Sequence, residues 1–127
     1  MPLVKISLLT GRPAAEKDAI SNAIQEGLVK TLGVPTEDFF QLINEYEPES
    51  FRHTNGFLGL HYSDRLLILE ITFLEGREDT MKKELIQQIN TNLVNAAVVV
   101  PDDVFIMIYE IGRANLSFGA GEAQRAL

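Results

Sequence analysis

The chain has 127 residues, no cysteine, 11 basic and 18 acidic side chains, and a formal net charge of -7. That length fits a single domain over 1–127, and 46% hydrophobic residues are enough for a core, which excludes global disorder. Absent thiols exclude a disulfide scaffold, an iron–sulfur site and a thiol nucleophile, while the acidic balance argues against nucleic acid and anionic membranes as partners.

Pro2–Leu9 is mostly apolar and reads as a buried strand. Gly11 allows a sharp exit, and Pro13 suits the first turn of a helix. Ile20, Ala23, Ile24, Gly27 and Leu28 then share one helical face. Gly33 and Pro35 end that helix, and Phe39–Tyr46 resumes as a strand. Glu47–Asp64 is a linker, with a turn expected at Asn55-Gly56 and a short extra strand after it. Leu66–Leu74 reads as a strand, Glu78–Ala96 as a helix carrying Met81, Leu85, Ile89 and Leu93, and Val104–Ile111 as the last strand. The run Ala96–Pro101 falls far short of a membrane span of about 20 residues. The opening residues hold no apolar signal core, so cytoplasmic residence is the default expectation.

The two halves share a plan, offset by about 65 residues. Ser7–Arg12 aligns with Thr72–Arg77, Lys17 with Lys82, Ile24 with Ile89 and Leu28 with Leu93. Strand-helix-strand units join parallel strands through right-handed crossovers. The expected fold is therefore α+β: two tandem β-α-β units, about 2–46 and 66–111, forming a four-stranded sheet with both helices on one face. The opposite sheet face stays bare and apolar, which predicts self-association.

The Met1-Pro2 start, the Gly11-Arg12 strand exit, the amphipathic helix and the duplication resemble the tautomerase superfamily, in its fused two-unit form. Gly33-Val34-Pro35 followed by Asp38, Pro101–Val104 and Ser117–Gly121 are similar to the malonate semialdehyde decarboxylase-like group. The resemblance implies a homotrimer, no cofactor, and an active site around Pro2 after Met1 is removed. It also implies that Asp38 orients a water or a proton at Pro2. One position departs from the decarboxylase pattern of two arginines flanking a proline: here the stretch is Glu75-Gly76-Arg77, with a carboxylate in the first position.

A free Pro2 is a secondary amine able to act as base, acid or nucleophile. Arg12 and Arg77 each follow an apolar strand, and both are expected on the Pro2 edge, where a guanidinium would bind a carboxylate bidentately. Arg77 is the expected catalytic partner and Arg12 an assisting one. Phe118 and Tyr109 are candidate walls of an apolar substrate pocket, and Gly119-Ala120-Gly121 a tail that folds over it or over a neighbouring subunit. His53, His61 and Asp64 match no metal-ligand spacing, so no metal is expected. The second unit begins near Leu67 instead of a proline, so its matching site should be inert. These residues point to keto–enol proton transfer on a small carboxylate substrate. The alternatives are Pro2-dependent hydration, decarboxylation or dehalogenation of a three-carbon acid, or a trimeric binding scaffold without chemistry.

Overall fold

The computed structural model describes residues 1–126. In β1 (Pro2–Leu9) alternation sets the two faces, with Pro2, Val4, Ile6 and Leu8 buried. β5 (Leu67–Leu74) does the same with Leu67, Leu69, Ile71 and Phe73. α1 (Ala14–Leu32) presents Ile20, Ala23, Ile24, Gly27 and Leu28 to them, and α2 (Asp79–Asn95) adds Leu85, Ile89 and Leu93. Each fully buried Leu, Ile or Phe of this layer is worth about 2 kcal/mol of transfer free energy. The helices also touch each other. A Cβ on Gly27 would sit 2.9 Å from Cγ1 of Ile89, so only glycine permits this approach. Beside it the Asn92 amide donates to the Ala23 carbonyl at 3.1 Å. No helix among the described residues is long and apolar enough to cross a membrane.

β2 (Gln41–Tyr46) runs parallel to β1, β6 (Val104–Ile111) runs parallel to β5, and β1 and β5 are antiparallel. The sheet order is therefore β2-β1-β5-β6, with the two β-α-β units side by side and both helices on one face. The other face carries Leu42, Phe105, Met107 and Tyr109, each 40% exposed or more.

Two local expectations are corrected. The second strand begins at Gln41, not Phe39. Phe40 still accepts the Val4 N–H at 3.0 Å, but its ring turns away to meet Phe118. The linker hairpin of β3 (Gly56–Phe57) and β4 (Leu60–His61) turns at Leu58 and Gly59, not at Asn55-Gly56. Both turn residues have positive φ, 52° and 79°, as a two-residue hairpin turn requires. Gly59 adopts that conformation at little cost; Leu58 carries the strain while almost fully exposed.

Candidate functional site

The antiparallel central pair sets Pro2 opposite Phe73, so the start of β1 lies against the end of β5. The chain leaves β5 through Gly76, whose φ of 117° favours glycine. Arg77 follows, with its guanidinium over the Phe73 ring at 5.1 Å and one N–H donated to the Leu74 carbonyl at 3.4 Å. From the other side comes the turn after α1. Gly33, at φ 69°, donates its N–H to the Val29 carbonyl at 3.0 Å and closes the helix. Pro35 accepts the Asp38 N–H at 3.1 Å, and the Gln25 amide donates to the Asp38 carbonyl at 3.2 Å.

This turn delivers the Asp38 carboxylate to the chain start. Oδ2 lies 2.8 Å from the Met1 amino group, and the two side chains are only 12% and 7% exposed. Oδ1 is buried and has no hydrogen-bond partner among the described residues. An acceptor so placed can take a proton or a water from a bound molecule. Met1, Asp38, Glu75, Arg77, Arg113 and Arg125 border an open cleft of ≈ 490 Å³. Three guanidiniums against two carboxylates make it a site for an anion, and carboxylates suit guanidinium forks.

A second cavity, of ≈ 260 Å³, adjoins the first through Met1 and is lined by Leu3, Phe40, Leu116, Ser117 and Phe118. The Phe40 and Phe118 rings are tilted against each other at 6.1 Å. The Arg125 guanidinium lies 5.7 Å over the Phe118 ring. The C-terminal segment thus borders both the charged cleft and the apolar cavity.

Pro2, Asp38, Arg77 and Phe118 are brought together around the chain start. Arg12 and Tyr109 are not, and both expectations are corrected. Pro2 opens β1 and Arg12 follows its other end, so the length of the strand separates them, whereas the antiparallel β5 brings Arg77 back to Pro2. Its guanidinium is buried, donating to the Val98 carbonyl at 3.0 Å and the Arg65 carbonyl at 2.6 Å, with Glu16 at 3.7 Å. Burial lowers its pKa from the ordinary arginine value, the Arg65 charge adds to this, and Glu16 and Asp103 oppose it. Arg12 is a bracket within the fold and makes no approach to the Pro2 edge of its own chain. Tyr109 stands on the open sheet face, where its hydroxyl donates to Glu70 at 3.0 Å and its pKa is raised above 10.0 by that bond. The linker His53 packs edge-on against Phe51 and Tyr62.

Two cleft residues escaped the sequence reading. Arg113 follows β6 in Ile111-Gly112-Arg113, a third Gly-Arg at a strand exit, and that pattern could have marked it. Arg125 carries no local signal, because only the folding back of the tail brings it to the cleft.

Family models described as tautomerase enzyme match residues 2–53 and 38–119. The probable tautomerase YusQ of Bacillus subtilis (strain 168) is 32% identical, over 98% of this chain and 98% of its own. Among solved structures, malonate semialdehyde decarboxylase, described with decarboxylase and hydratase activities, superposes with a TM-score of 0.90 at 26% identity, over 98% of this chain and 95% of that one. A fused 4-OT symmetric trimer superposes with a TM-score of 0.79 at 20% identity, over 98% of each chain, a likeness of fold. Two β-α-β units, a match along nearly the whole length and the expected family agree: the chain belongs to the tautomerase superfamily, as a fused two-unit member.

Proposed function

We propose that the protein catalyses keto–enol proton transfer on a carboxylate-bearing substrate, with the Pro2 nitrogen as base once Met1 has been removed. The observation that carries this reading is the carboxylate of Asp38 and three guanidiniums gathered at the one edge where Pro2 begins the sheet. Pro2 is buried, and the arginines disfavour one more positive charge beside them; both effects favour a neutral amine, against the opposing pull of the Asp38 carboxylate. The nitrogen takes the proton from the enol hydroxyl and delivers it to the neighbouring carbon, giving the keto acid. Arg77 holds the carboxylate and stabilises the negative charge that builds on the enolate oxygen. Asp38 accepts a hydrogen bond from the protonated amine and keeps it aimed. The small side chain of Pro2 suits removal of Met1 by the methionine excision enzyme.

The active unit is proposed to be a homotrimer, supported by the uncovered apolar sheet face and by the fold shared with a trimeric protein. A second reading is hydration or decarboxylation with Pro2 protonated, favoured by one observation: the unpartnered Oδ1 of Asp38 is suited to hold a water. Three measurements decide. Intact mass of the native protein should lack Met1. The wild type should ketonise an aryl or dienoic enol acid far faster than Pro2→Ala; equal rates remove Pro2 from the mechanism. A titration of the Pro2 nitrogen separates base from acid, with a neutral amine at pH 7 expected.

A further inference from the structure

The C-terminal segment does more than fold back. Its hydrogen bonds among the described residues stay within it: the Phe118 N–H donates to Gln124 Oε1 at 3.0 Å, the Gln124 amide to the Gly119 carbonyl at 2.9 Å, and the Ser117 hydroxyl to the same carbonyl at 3.0 Å. Gly119, Ala120 and Gly121 all have positive φ, at 137°, 60° and 69°, and make the reversal. The result is a small self-contained clasp seated by Phe118 on Phe40. The clasp offers two unlike surfaces. Phe118 faces the apolar cavity, and Arg125 faces the cleft that holds Asp38, Arg77 and Arg113. The Arg125 guanidinium carbon lies 5.7 Å over the Phe118 ring, and its N–H donors make no hydrogen bond among the described residues, which leaves them for an anion. The two spaces share Met1 as their common wall, so the removal of Met1 that frees Pro2 joins them into one.

We propose that Arg125 binds the substrate carboxylate, and that its position over the Phe118 ring makes the site bipartite, selecting acids that bear a bulky apolar substituent over short-chain acids. This rests on the reading of a carboxylate substrate at the Pro2 edge, and it extends that reading to the remainder of the molecule bound. The carboxylate lies between Arg125 and Arg77, and the apolar substituent lies against Phe40, Phe118 and Leu3. An enclosed apolar cavity of about 150 Å³ suffices to hold benzene; the open cavity beside Phe118 measures ≈ 260 Å³ with Met1 in place and widens when Met1 is removed, which gives space for a phenyl ring. A three-carbon acid would leave that surface wetted and gain nothing from it.

Equilibrium binding of 3-phenylpropanoate and of propanoate to the full chain tests this without turnover. The wild type should prefer the phenyl acid by about tenfold or more. Arg125→Gln should weaken it by about tenfold, with Arg125→Lys between the two, because lysine keeps the charge and loses the fork. Phe118→Ala should erase the preference, and Phe118→Leu should retain most of it, which keeps the test valid if the alanine variant loosens the tail. Affinity for the phenyl acid unchanged within about twofold in Arg125→Gln, an absent preference in the wild type, or no binding at about 10 mM overturns the proposal. Pro2→Ala separates it from the catalytic reading. If that variant turns over enol acids as well as the wild type, Pro2 loses its role while the affinities still decide Arg125.

Discussion

Gly11-Arg12 and Gly76-Arg77 occupy the same step of the two β-α-β units, each leaving a central strand toward a helix. Their guanidiniums end in unlike surroundings. Arg12 meets the carbonyls of Arg65 and Val98, where the chain passes continuously into β5. Its positive charge is spent on the protein's own backbone. Arg77 meets the start of β1, where a terminal amino group and Asp38 stand in place of a passing chain, and its cleft stays open. One motif, used twice, thus gives a structural bracket at one end of the sheet and a candidate anion site at the other. The difference lies in what the neighbouring strand brings to the corner, not in the corner itself.

The largest expected effect tests the open corner. Arg77→Ala should lower kcat/KM for an enol acid by about 10²–10³, as removal of one donor from a developing oxyanion does, with little change in thermal midpoint. A loss below about threefold would mean that Arg113 and Arg125 carry the anion without it. The closed corner should respond in the opposite way. Arg12→Ala leaves the Arg65 carbonyl without its side-chain donor and the Val98 carbonyl with only the Arg65 guanidinium at 3.2 Å, and should cost about 2 kcal/mol of stability by denaturant unfolding, while folded protein keeps its activity. Arg12→Lys should recover only part of this, because an ammonium cannot fork between Val98 and Arg65. Loss of activity without loss of stability in Arg12→Ala would erase the distinction between the corners.

That distinction marks the limit of what the residues alone convey. The bounds of β1 and β6, the buried faces of both helices and the pairing of the two units were readable, because alternation and helical spacing are local patterns. Asp38, Arg77 and Phe118 were candidates because each sits at a turn, a strand exit or a glycine-rich segment, and the roles expected of Asp38 and Arg77 came from the resemblance to the tautomerase superfamily. Arg12 was assigned to the wrong edge although β1 itself separates it from Pro2 by a strand's length, and only the placement of Arg77 depends on a non-local relation. Nothing within either strand states that β1 and β5 run antiparallel, and that relation decides that Arg77 meets Pro2. The hairpin turn at Leu58-Gly59 was missed because leucine at positive φ runs against its own preference.

A smaller effect is expected where the two units press on each other. Gly27→Ala gains about 1 kcal/mol in helix propensity but drives a methyl to 2.9 Å from Ile89. The overpacking costs about 1–3 kcal/mol, so net destabilisation of about 1 kcal/mol is expected by chemical denaturation. Ile89→Ala, which removes the Cγ1 that the new methyl meets, should relieve it in a double-mutant cycle, and purely additive costs would show that the helices part freely.

The smallest effect compares the matched lysines. Lys17 bridges to Glu45 at 2.8 Å, and Lys82 bridges to Glu110 at 2.9 Å, so each ties its helix to the outer strand of its own unit. Lys82 has a second carboxylate, Asp79, at 3.2 Å. Its pKa is raised above the ordinary 10.5, chiefly by the hydrogen bond to Glu110 and then by that to Asp79. A raised lysine pKa stabilises the folded state fully below the unfolded value and loses that contribution as pH climbs through the folded one. The thermal midpoint of the wild type should therefore exceed that of Lys82→Gln at neutral pH, and the gap should close as pH rises past 10.5. Lys82 is solvated, so the gap should be small and should shrink in high salt. A gap that persists in strong alkali would assign the contribution to the lysine's methylene stem packed along the helix, and not to its charge.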